Sequence, residues 1–374
     1  MAKCMRVERQ DAEKERKKLS LAGALDNSYV PARGRKFVYF PVNEGAKLPS
    51  GAKLVEKKLE RRSERPKTLR EALAGKLSAA EMEELVTSFD LMGDIAVVEV
   101  PGELAAKEKL IASALMSAHH NVRVVAKKIS GTAGEFRIRP VQVIAGEKRT
   151  HTIYREGGCE FELDINKAYF SPRLGTERGR LCELVKQNEQ KAGRKGGGSA
   201  GERQAQGAWR VFGRQPESPK GEHVLVPFAG VGPFAIRMGK AATGAEVVGI
   251  ELNPGACYYF ERNVARNKCA NVRAVRGDVA ALLPGKYKGW ADRLAMPLPK
   301  DGKKFLANAI PCLKKGGMLH YYSFGSVRAP FAEAERDVLQ AAVKCGRKAR
   351  VVFRRVVRPY SKDTEQVVID AKIG

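Results

Sequence analysis

The 374-residue sequence contains no long apolar run, few histidines and no paired cysteine spacing. No stretch approaches the roughly eighteen apolar residues that a membrane-spanning helix requires, and the charged N-terminus lacks the apolar segment of a secretory signal. Seven scattered cysteines without CxxC spacing and only five histidines argue against a disulfide framework, a structural zinc site or another metal centre. We therefore expect a cytoplasmic protein with no membrane segment and no metal. Since no segment suggests an oligomer interface, we also expect a monomer.

Acidic residues are scarce relative to basic ones. Lys and Arg total 68 against 42 Asp and Glu, so the formal net charge is +26. Such a charge repels itself in the compact state unless a polyanion offsets it, and neutralising phosphates releases counterions. A basic or salt-adapted surface without a binding role is the alternative explanation. The charge favours a nucleic-acid partner, but it does not distinguish RNA from DNA.

The pattern along the chain predicts three domains. Residues 1–68 form a small basic domain with one sheet, expected in RGRKFVYFPVNEG and AKLVEKKLERR, and residues 69–168 form a strand-rich α+β middle domain. In residues 169–374 strands alternate with helices, which is typical of a doubly wound parallel sheet. Two long C-terminal strands, in RKARVVFRRVVRPY and TEQVVIDAKI, predict an antiparallel pair closing that sheet. This α/β arrangement is the Rossmann-like class I methyltransferase variant rather than the dehydrogenase one.

Some local predictions are specific enough to compare with a structure. The hydrophobic period predicts a helix through SAAEMEELVTSFD (78–90) and another at Ala105–Ser117. Strands are expected in DIAVVEVP and EFELDI and at Asn121–Lys128, Glu135–Ala145 and Thr150–Glu156. Residues 187–220 are rich in Gly, Lys and Arg and poor in apolar residues, so we expect a flexible basic loop.

Three features lie at the expected carboxyl ends of successive strands, where open α/β sheets bind ligands. The segment Phe228–Phe234 (FAGVGPF) follows a strand and precedes a helix, and Gly230 and Gly232 allow a tight turn that a ligand can approach closely. Glu251 ends the next strand, where it can accept hydrogen bonds from both ribose hydroxyls. Asp278 follows the strand after that and can accept from an adenine amino group.

Each of these features has a simpler explanation when it is taken alone. Glycines occur in most strand–helix turns, and an acidic residue at a strand end is often a solvated cap. A dinucleotide-binding dehydrogenase is also open, because Ala235 at the third-glycine position is tolerated. The order of the three features, the Asn253-Pro254 pair after Glu251 and the antiparallel C-terminal pair favour S-adenosylmethionine as the ligand.

From about Leu69 to its end the chain resembles a known family. LREALAGKL, SFDLMGDIAVVEVP, YFSPRLGTER and FAGVGPF are similar to segments of the Rossmann-type tRNA guanine-37 N1-methyltransferases of archaea and eukaryotes. YFSPRLGTER, at Tyr169–Arg178, is the most specific motif, whereas FAGVGPF is shared with the wybutosine-pathway aminocarboxypropyl transferases. The resemblance implies an RNA-binding enzyme of tRNA processing. It would transfer a methyl group from S-adenosylmethionine to N1 of guanosine 37 in the tRNA anticodon loop.

The resemblance also implies roles for individual residues. N1 of guanine carries a proton, so its methylation needs a base, and Glu177 is the family's general base by position. Arg137 matches the arginine that stabilises charge on O6, with Arg139 as a nearby alternative in substrate binding. The other implied site residues are Pro299 in the catalytic set, Phe228 and Pro297 at the cofactor, and Arg173 and Lys300 at the RNA substrate.

Alternatives to this interpretation remain open. Glu177 could be a helix N-terminal acid, capped by Thr176 and paired with Arg173 or Arg180. The chain could also be a non-catalytic RNA-binding homologue, although the full set of site residues argues against it.

The chain departs from the family pattern in three places. Pro297 stands where the family commonly has an asparagine, which keeps open aminocarboxypropyl transfer or methylation of a modified guanosine. Val226 stands where the strand before the glycine turn usually carries an acid, so one cofactor contact is expected to be missing. The basic loop after Val185 is longer than the family typically shows, and either an additional RNA contact or a disordered insertion would account for it.

Residues 1–65 match the family only loosely, in the position where its members carry a small tRNA-binding domain. If this basic segment contacts tRNA away from the active site, deleting it should weaken tRNA binding and leave S-adenosylmethionine binding intact. Filter binding and calorimetry would measure the two affinities. An equal loss of both would contradict a separate tRNA-binding role.

Overall fold

The computed structural model describes residues 1–61, 66–129, 136, 138–195 and 221–374. These residues form two compact units, one of residues 1–83 with 113–120 and the other of residues 84–112 with 121–374. The three-domain division at residues 68 and 168 remains a prediction.

The strands and helices are numbered in chain order. The strands are β1 (Ala2–Glu8), β2 (Ala32–Arg33), β3 (Phe37–Pro41), β4 (Lys53–Lys57), β5 (Phe89–Met92), β6 (Ile95–Val98), β7 (Val124–Lys128), β8 (Val141–Gly146), β9 (His151–Glu156), β10 (Cys159–Asp164), β11 (His223–Pro227), β12 (Glu246–Glu251), β13 (Val272–Arg276), β14 (Ala291–Met296), β15 (Leu313–Ser326), β16 (Ala349–Pro359) and β17 (Thr364–Ile373). The α-helices are α1 (Ala12–Leu21), α2 (Leu69–Leu73), α3 (Ala79–Glu84), α4 (Glu108–Ala118), α5 (Gly175–Lys195), α6 (Pro233–Ala241), α7 (Pro254–Arg266), α8 (Val279–Lys286), α9 (Leu306–Ala309) and α10 (Ala332–Lys344).

The first unit contains an antiparallel sheet with strand order β2-β3-β1-β4. The two expected segments form β3 and β4. The central strand β1 was missed, because charged residues interrupt its apolar pattern. Met5 and Val7 of β1 are nevertheless buried with Leu19 of α1 and Phe40 of β3, so packing places this strand in the core.

In the second unit, β5, β6, β7 and β8 form a sheet in that order, with β6 and β7 parallel. The predicted helix over residues 78–90 is wrong at its C-terminal end, because α3 ends at Glu84 and β5 begins at Phe89. Gly93, with φ +60°, and Asp94 form the two-residue turn between β5 and β6, and such a turn favours a hairpin. The predicted strand Glu135–Ala145 is shorter than expected, since β8 begins at Val141; residues 130–135 and 137 lie outside the described residues.

The doubly wound sheet predicted for residues 169–374 is a seven-stranded sheet with the order β13-β12-β11-β14-β15-β17-β16. The first five strands are parallel, and β17 runs antiparallel to both β15 and β16. The expected doubly wound sheet with an antiparallel C-terminal pair is therefore confirmed. Helices cover both faces: Val224 and Val226 of β11 pack into one buried cluster and Leu225 into the other. This two-sided burial explains the continuous apolar run in β11.

The helix α5 is longer than the sequence predicted. Residues 187–195 belong to α5, so the expected flexible loop does not begin at residue 187, and residues 196–220 lie outside the described part of the chain. Side chains near the end of α5 are fixed to the sheet domain: Asn188 donates to Glu222 at 2.5 Å, and Glu189 accepts from the Gly244 amide at 2.5 Å. These tertiary contacts stabilise turns that composition alone would leave unfolded.

A buried asparagine joins α7 to the β9–β10 hairpin and to the loop after β11. The Asn263 amide donates to the carbonyls of Glu162 and Val231, both at 3.0 Å, and its carbonyl accepts from the Glu162 amide at 2.7 Å. Asn263 is fully buried. Its side chain, and not water, therefore supplies the hydrogen bonds of these three backbone groups. One residue thereby positions the glycine turn relative to the hairpin.

We expect Asn263→Ala to lower the free energy of unfolding by roughly 3 kcal/mol, because buried backbone groups that lose a partner keep their desolvation cost. Chemical denaturation would measure the change. The control is Asn308→Ala, which removes one exposed 3.3 Å hydrogen bond to Ala280 and should cost less than about 0.5 kcal/mol. Equal destabilisation by both substitutions would contradict the role of Asn263.

Candidate active site

The turn between β11 and α6 adopts a conformation that favours glycine. Phe228, Gly230 and Gly232 have φ values of 60°, 58° and 90°. A Cβ on Gly232 would lie 2.2 Å from the Phe260 ring, so a side chain cannot fit there. At Gly230, by contrast, only the Tyr169 carbonyl oxygen lies within 4 Å of where a Cβ would be, at 3.6 Å, so this part of the turn leaves space for a ligand.

Glu251, the last residue of β12, holds the glycine turn in place. Its Oε2 accepts a hydrogen bond from the Gly230 amide at 2.7 Å, and its Oε1 accepts from the Asn253 amide at 2.8 Å. Burial raises the pKa of Glu251, although these backbone donors oppose the change. Each carboxylate oxygen keeps a further lone pair. Glu251 can therefore brace the turn and still accept ribose hydroxyls.

The neighbouring strands supply the other predicted cofactor residues. Asp278 follows β13, is exposed, and caps α8 by accepting from the Ala280 amide at 2.8 Å. The cap that was considered as an alternative is thus present, and the second carboxylate oxygen remains exposed for a ligand. Pro297 and Pro299 follow β14 and are half-buried, while Lys300 is exposed. All follow the carboxyl ends of strands in the sheet that also carries the glycine turn.

These residues fit an adenosine-bearing methyl donor. The glycine turn is the kind of cradle that a Cβ would fill, Glu251 offers acceptors for a ribose, and Asp278 offers an acceptor for an adenine amino group. Val226, where the family has an acid, is fully buried in β11 and offers no polar group. Whether a cofactor contact is lost at this position stays a prediction.

Glu177 lies in the first turn of α5 and is only 1% exposed. Its Oε2 accepts from Arg180 Nε at 2.9 Å and from the Tyr322 hydroxyl at 3.2 Å. Its Oε1 is buried and has no hydrogen bond from any described residue; Arg355 Nη1 lies 3.4 Å away without hydrogen-bond geometry. Burial raises the pKa of Tyr322 well above 10, so the phenol stays a donor. The carboxylate is hydrogen-bonded through Oε2, while Oε1 is buried and ion-paired with Arg355 but accepts no hydrogen bond from a described residue.

The pairing with Arg180 corresponds to one alternative that the sequence left open. Arg173 pairs instead with Asp90, at 2.6 Å. However, a helix N-terminal acid with a purely local role is normally solvated, whereas Glu177 is buried. A buried carboxylate oxygen that accepts no hydrogen bond is costly unless a ligand supplies one.

The motif around Glu177 is packed against the glycine turn. Arg178 is buried and donates to Glu156 at 2.7 and 2.5 Å, and Arg237 of α6 contacts the same carboxylate. Arg237 also donates to the carbonyl of Gly175 at 3.0 Å. On the other side, a Cβ on Gly230 would lie 3.6 Å from the Tyr169 carbonyl. The two sequence motifs, Tyr169–Arg178 and Phe228–Phe234, are far apart in the chain but lie against each other in the structure.

A polar cavity of about 390 Å³ adjoins this motif. Tyr169 and Tyr360 contribute aromatic rings, and both are about half exposed. Four cations lie in its wall: Lys128, Arg139, Arg173 and Arg358. Aromatic faces with surrounding cations suit a nucleotide, since bases stack on the former and phosphates pair with the latter.

The structure brings some predicted substrate residues together and not others. Arg139 and Arg173 line the cavity, whereas the residues that line it do not include Lys300. Arg137 lies outside the described residues. Tyr322, Arg355, Arg358 and Tyr360 were missed by the sequence analysis; the run RRVVRPY marks three of them only by its charge and its terminal tyrosine.

Within residues 1–61, 66–129, 136, 138–195 and 221–374, no group of three His, Cys, Asp or Glu side chains is placed to hold a metal ion. None of the helices described is both long and apolar enough to cross a membrane.

The strand order, the glycine turn and the acidic residues at the carboxyl edge define a class I, S-adenosylmethionine-dependent methyltransferase. A family profile described as the TRM5/TYW2 methyltransferase domain matches residues 152–192 and 214–352. Profiles for the TYW2 N-terminal domain and the tRNA methyltransferase 5 N-terminal domain match residues 69–150 and 4–48. The chain belongs to the TRM5/TYW2 methyltransferase family, as the sequence motifs suggested.

Similar proteins cover the whole chain. The tRNA (guanine(37)-N(1))-methyltransferase Trm5b of Pyrococcus abyssi is 35% identical over 374 residues, which span 100% of both proteins. The crystal structure of Pyrococcus abyssi Trm5b matches with a TM-score of 0.67 and 36% identity, covering 100% of each chain. A structure described as the complex of aTrm5 and tRNALeu matches with a TM-score of 0.67 and 26% identity, covering 99% of each.

We expect Glu251→Gln to weaken S-adenosylmethionine binding about tenfold, or about 1.4 kcal/mol. The glutamine NH₂ group would face a backbone N–H, so one of the two bonds that brace the turn becomes a donor–donor contact. Isothermal titration calorimetry would measure the affinity. Glu246→Gln, at the opposite end of β12, is the control and should bind as the unchanged protein does. Equal affinity of both variants would contradict the role of Glu251.

Proposed function

We propose that this protein transfers a methyl group from S-adenosylmethionine to N1 of guanosine 37 in tRNA, with Glu177 as the general base. The observation that carries the proposal is the buried Glu177 carboxylate, whose Oε1 lies 3.4 Å from Arg355 Nη1 but accepts no hydrogen bond from a described residue. The full-length similarity to Pyrococcus abyssi Trm5b supports the substrate, and the +26 net charge supports an RNA partner.

The chemistry follows from the proton on N1. When bound, S-adenosylmethionine supplies a methyl group on a positively charged sulfur. Glu177 Oε1 accepts the N1 proton as the N1–methyl bond forms and the sulfur–methyl bond breaks. The negative charge of Glu177 and the positive charge of the sulfonium are both lost, so the step is charge-balanced. Methylated guanosine and a neutral thioether result.

The negative charge that develops on O6 requires a nearby cation. Arg137 is proposed for this role from the resemblance alone. Arg139 and Arg173, both in the cavity wall, are proposed to contact the RNA. Pro299 and Lys300, which follow β14 at the carboxyl edge, are proposed to lie against the base. Phe228, Gly230, Gly232, Glu251, Asp278 and Pro297 are proposed to contact the methyl donor.

A stacked guanine in an anticodon loop exposes N1 only after the base turns out of the stack. The cavity supports such a substrate, because the aromatic rings of Tyr169 and Tyr360 can replace stacking partners. Tyr360 is itself held by Phe324, with ring centroids 4.4 Å apart. A rigid ring loses little conformational freedom when a base binds.

Pro297 favours a second candidate, since the family's asparagine is absent there. Aminocarboxypropyl transfer would use the same donor and the same glycine turn but a different carbon of the donor. Methylation of an already modified guanosine is the other form of this candidate. Donor labelled in the methyl group and donor labelled in the carboxyl group separate transfer of the two groups directly.

The experiment is transfer of labelled methyl to tRNA transcripts carrying G37 or A37. We expect methylation of G37 only, and we expect Glu177→Gln to reduce its rate by at least about 100-fold because the amide cannot accept the proton. Glu183→Gln, an exposed acid on the same helix, is the control and should keep full activity.

Three outcomes would contradict parts of the proposal. Full activity on A37 would refute the guanine assignment. An active Glu177→Gln enzyme would refute the base. Incorporation of carboxyl label but not methyl label would favour aminocarboxypropyl transfer.

A further inference from the structure

A chain of buried charged side chains extends from Glu177 through the sheet. Arg180 contacts Glu177 and Asp370, Asp370 contacts His320, and His320 contacts Arg293. Arg293 then donates to both oxygens of Glu222, each at 2.9 Å. Acidic and basic side chains alternate along this series, with His320 between Asp370 and Arg293, and the series runs from α5 across β17, β15 and β14. Buried charge is tolerated there because every member has a partner.

Arg180 connects the proposed base to the rest of the chain. Its Nε donates to Glu177 Oε2 at 2.9 Å, while Nη1 and Nη2 donate to Asp370 Oδ2 at 2.6 Å and Oδ1 at 3.2 Å. Its guanidinium also lies 4.7 Å from the centre of the Phe353 ring. A planar guanidinium fixed on three sides determines where the Glu177 carboxylate can lie.

His320 determines the orientation of Asp370. Its Nδ1 lies 2.6 Å from Asp370 Oδ1, and its Nε2 lies 2.6 Å from Arg293 Nη1. An arginine only donates, so Nε2 accepts and Nδ1 donates to Asp370. Burial lowers the pKa of His320 to about 4, so the ring is neutral at physiological pH. Burial alone would raise the pKa of Asp370, but the contacts with His320 and Arg180 outweigh it and lower the pKa.

The charges near Glu177 have a chemical consequence. A positive group beside a carboxylate makes it a weaker base. Arg180 makes one bond to Glu177 and two to Asp370, so Asp370 offsets part of the charge of Arg180. Arg355 of β16 and the neutral phenol of Tyr322 of β15 also face Glu177. Arg180 orients Oε2, while Oε1 faces Arg355 Nη1 at 3.4 Å.

We propose that Arg180, Asp370 and His320 are positioning residues for Glu177, which set both its orientation and its strength as a base. This proposal rests on the role of Glu177 as the base. None of the three needs to touch the substrate.

The test is Asp370→Asn, which keeps the size of the side chain and removes its charge. The positive charge of Arg180 is then no longer offset by Asp370, while Arg355 and Tyr322 beside Glu177 are unchanged. We expect kcat for methyl transfer to fall about tenfold, with KM for tRNA and for the donor within twofold. The acid limb of the kcat–pH profile should move to lower pH by about one unit. A purely structural role would lower stability without moving that limb.

The matched control is Asp292→Asn. Asp292 accepts from Lys314 at 2.7 Å and from the His223 amide at 2.9 Å, at the amino end of the parallel strands and away from Glu177. We expect an unchanged pH profile in this variant. A shift equal to that of Asp370→Asn would overturn the proposal.

A double variant keeps the test usable if Asp370→Asn does not fold. Arg180→Gln with Asp370→Asn removes one charge of each sign and keeps the buried region neutral. In the Arg180→Gln background, adding Asp370→Asn should no longer move the acid limb, because Asp370 acts through Arg180. An undiminished further shift would overturn the proposal.

The Glu177→Gln result separates the two proposals. If Glu177→Gln remains active, the base assignment fails and the positioning roles fail with it. If Glu177→Gln is inactive but Asp370→Asn has the normal kcat and pH profile, only the positioning roles fail.

Discussion

Burial of the Glu177 carboxylate is the constraint on which the active-site region depends. An acid that is 1% exposed must have charged or hydrogen-bonding partners, and Arg180 and Tyr322 supply them from α5 and β15. Arg180 in turn needs Asp370, and Asp370 is held by His320. One buried acid therefore ties the first turn of α5 to the C-terminal half of the sheet.

A carboxylate held by nearby hydrogen-bond donors also fixes the glycine turn. Glu251 is buried enough to raise its pKa, yet it is satisfied by two backbone amides of loops that a ligand would approach. In both places a carboxylate fixes local geometry with part of its hydrogen-bonding capacity, and the proposed function assigns the remainder to a ligand. Arg237 connects the two places, because it extends from α6 to Glu156 and Gly175.

The departures from the family pattern at Val226 and Pro297 lie in different environments. Val226 is fully buried among apolar side chains, so the missing acid is replaced by core packing and not by another polar group. Pro297 is half-buried at the carboxyl edge, where a proline offers only its carbonyl as a hydrogen-bonding group. The protein would have to hold a base there with backbone atoms or with other side chains.

The sequence by itself determined the sheet, the place of the glycine turn and the acids at Glu251 and Asp278. These follow from local period and from chain order, which set where parallel strands end. It could not find β1, whose charged residues interrupt its apolar pattern, or the continuation of α5 past residue 187, which contacts with Glu222 and Gly244 stabilise. Nor could it find Tyr322, Arg355 and Asp370 beside Glu177 and Arg180, because these residues are far apart in the chain. Only the pairing of β15, β16 and β17 brings them to the first turn of α5, and pairing over such distances leaves no local trace in sequence.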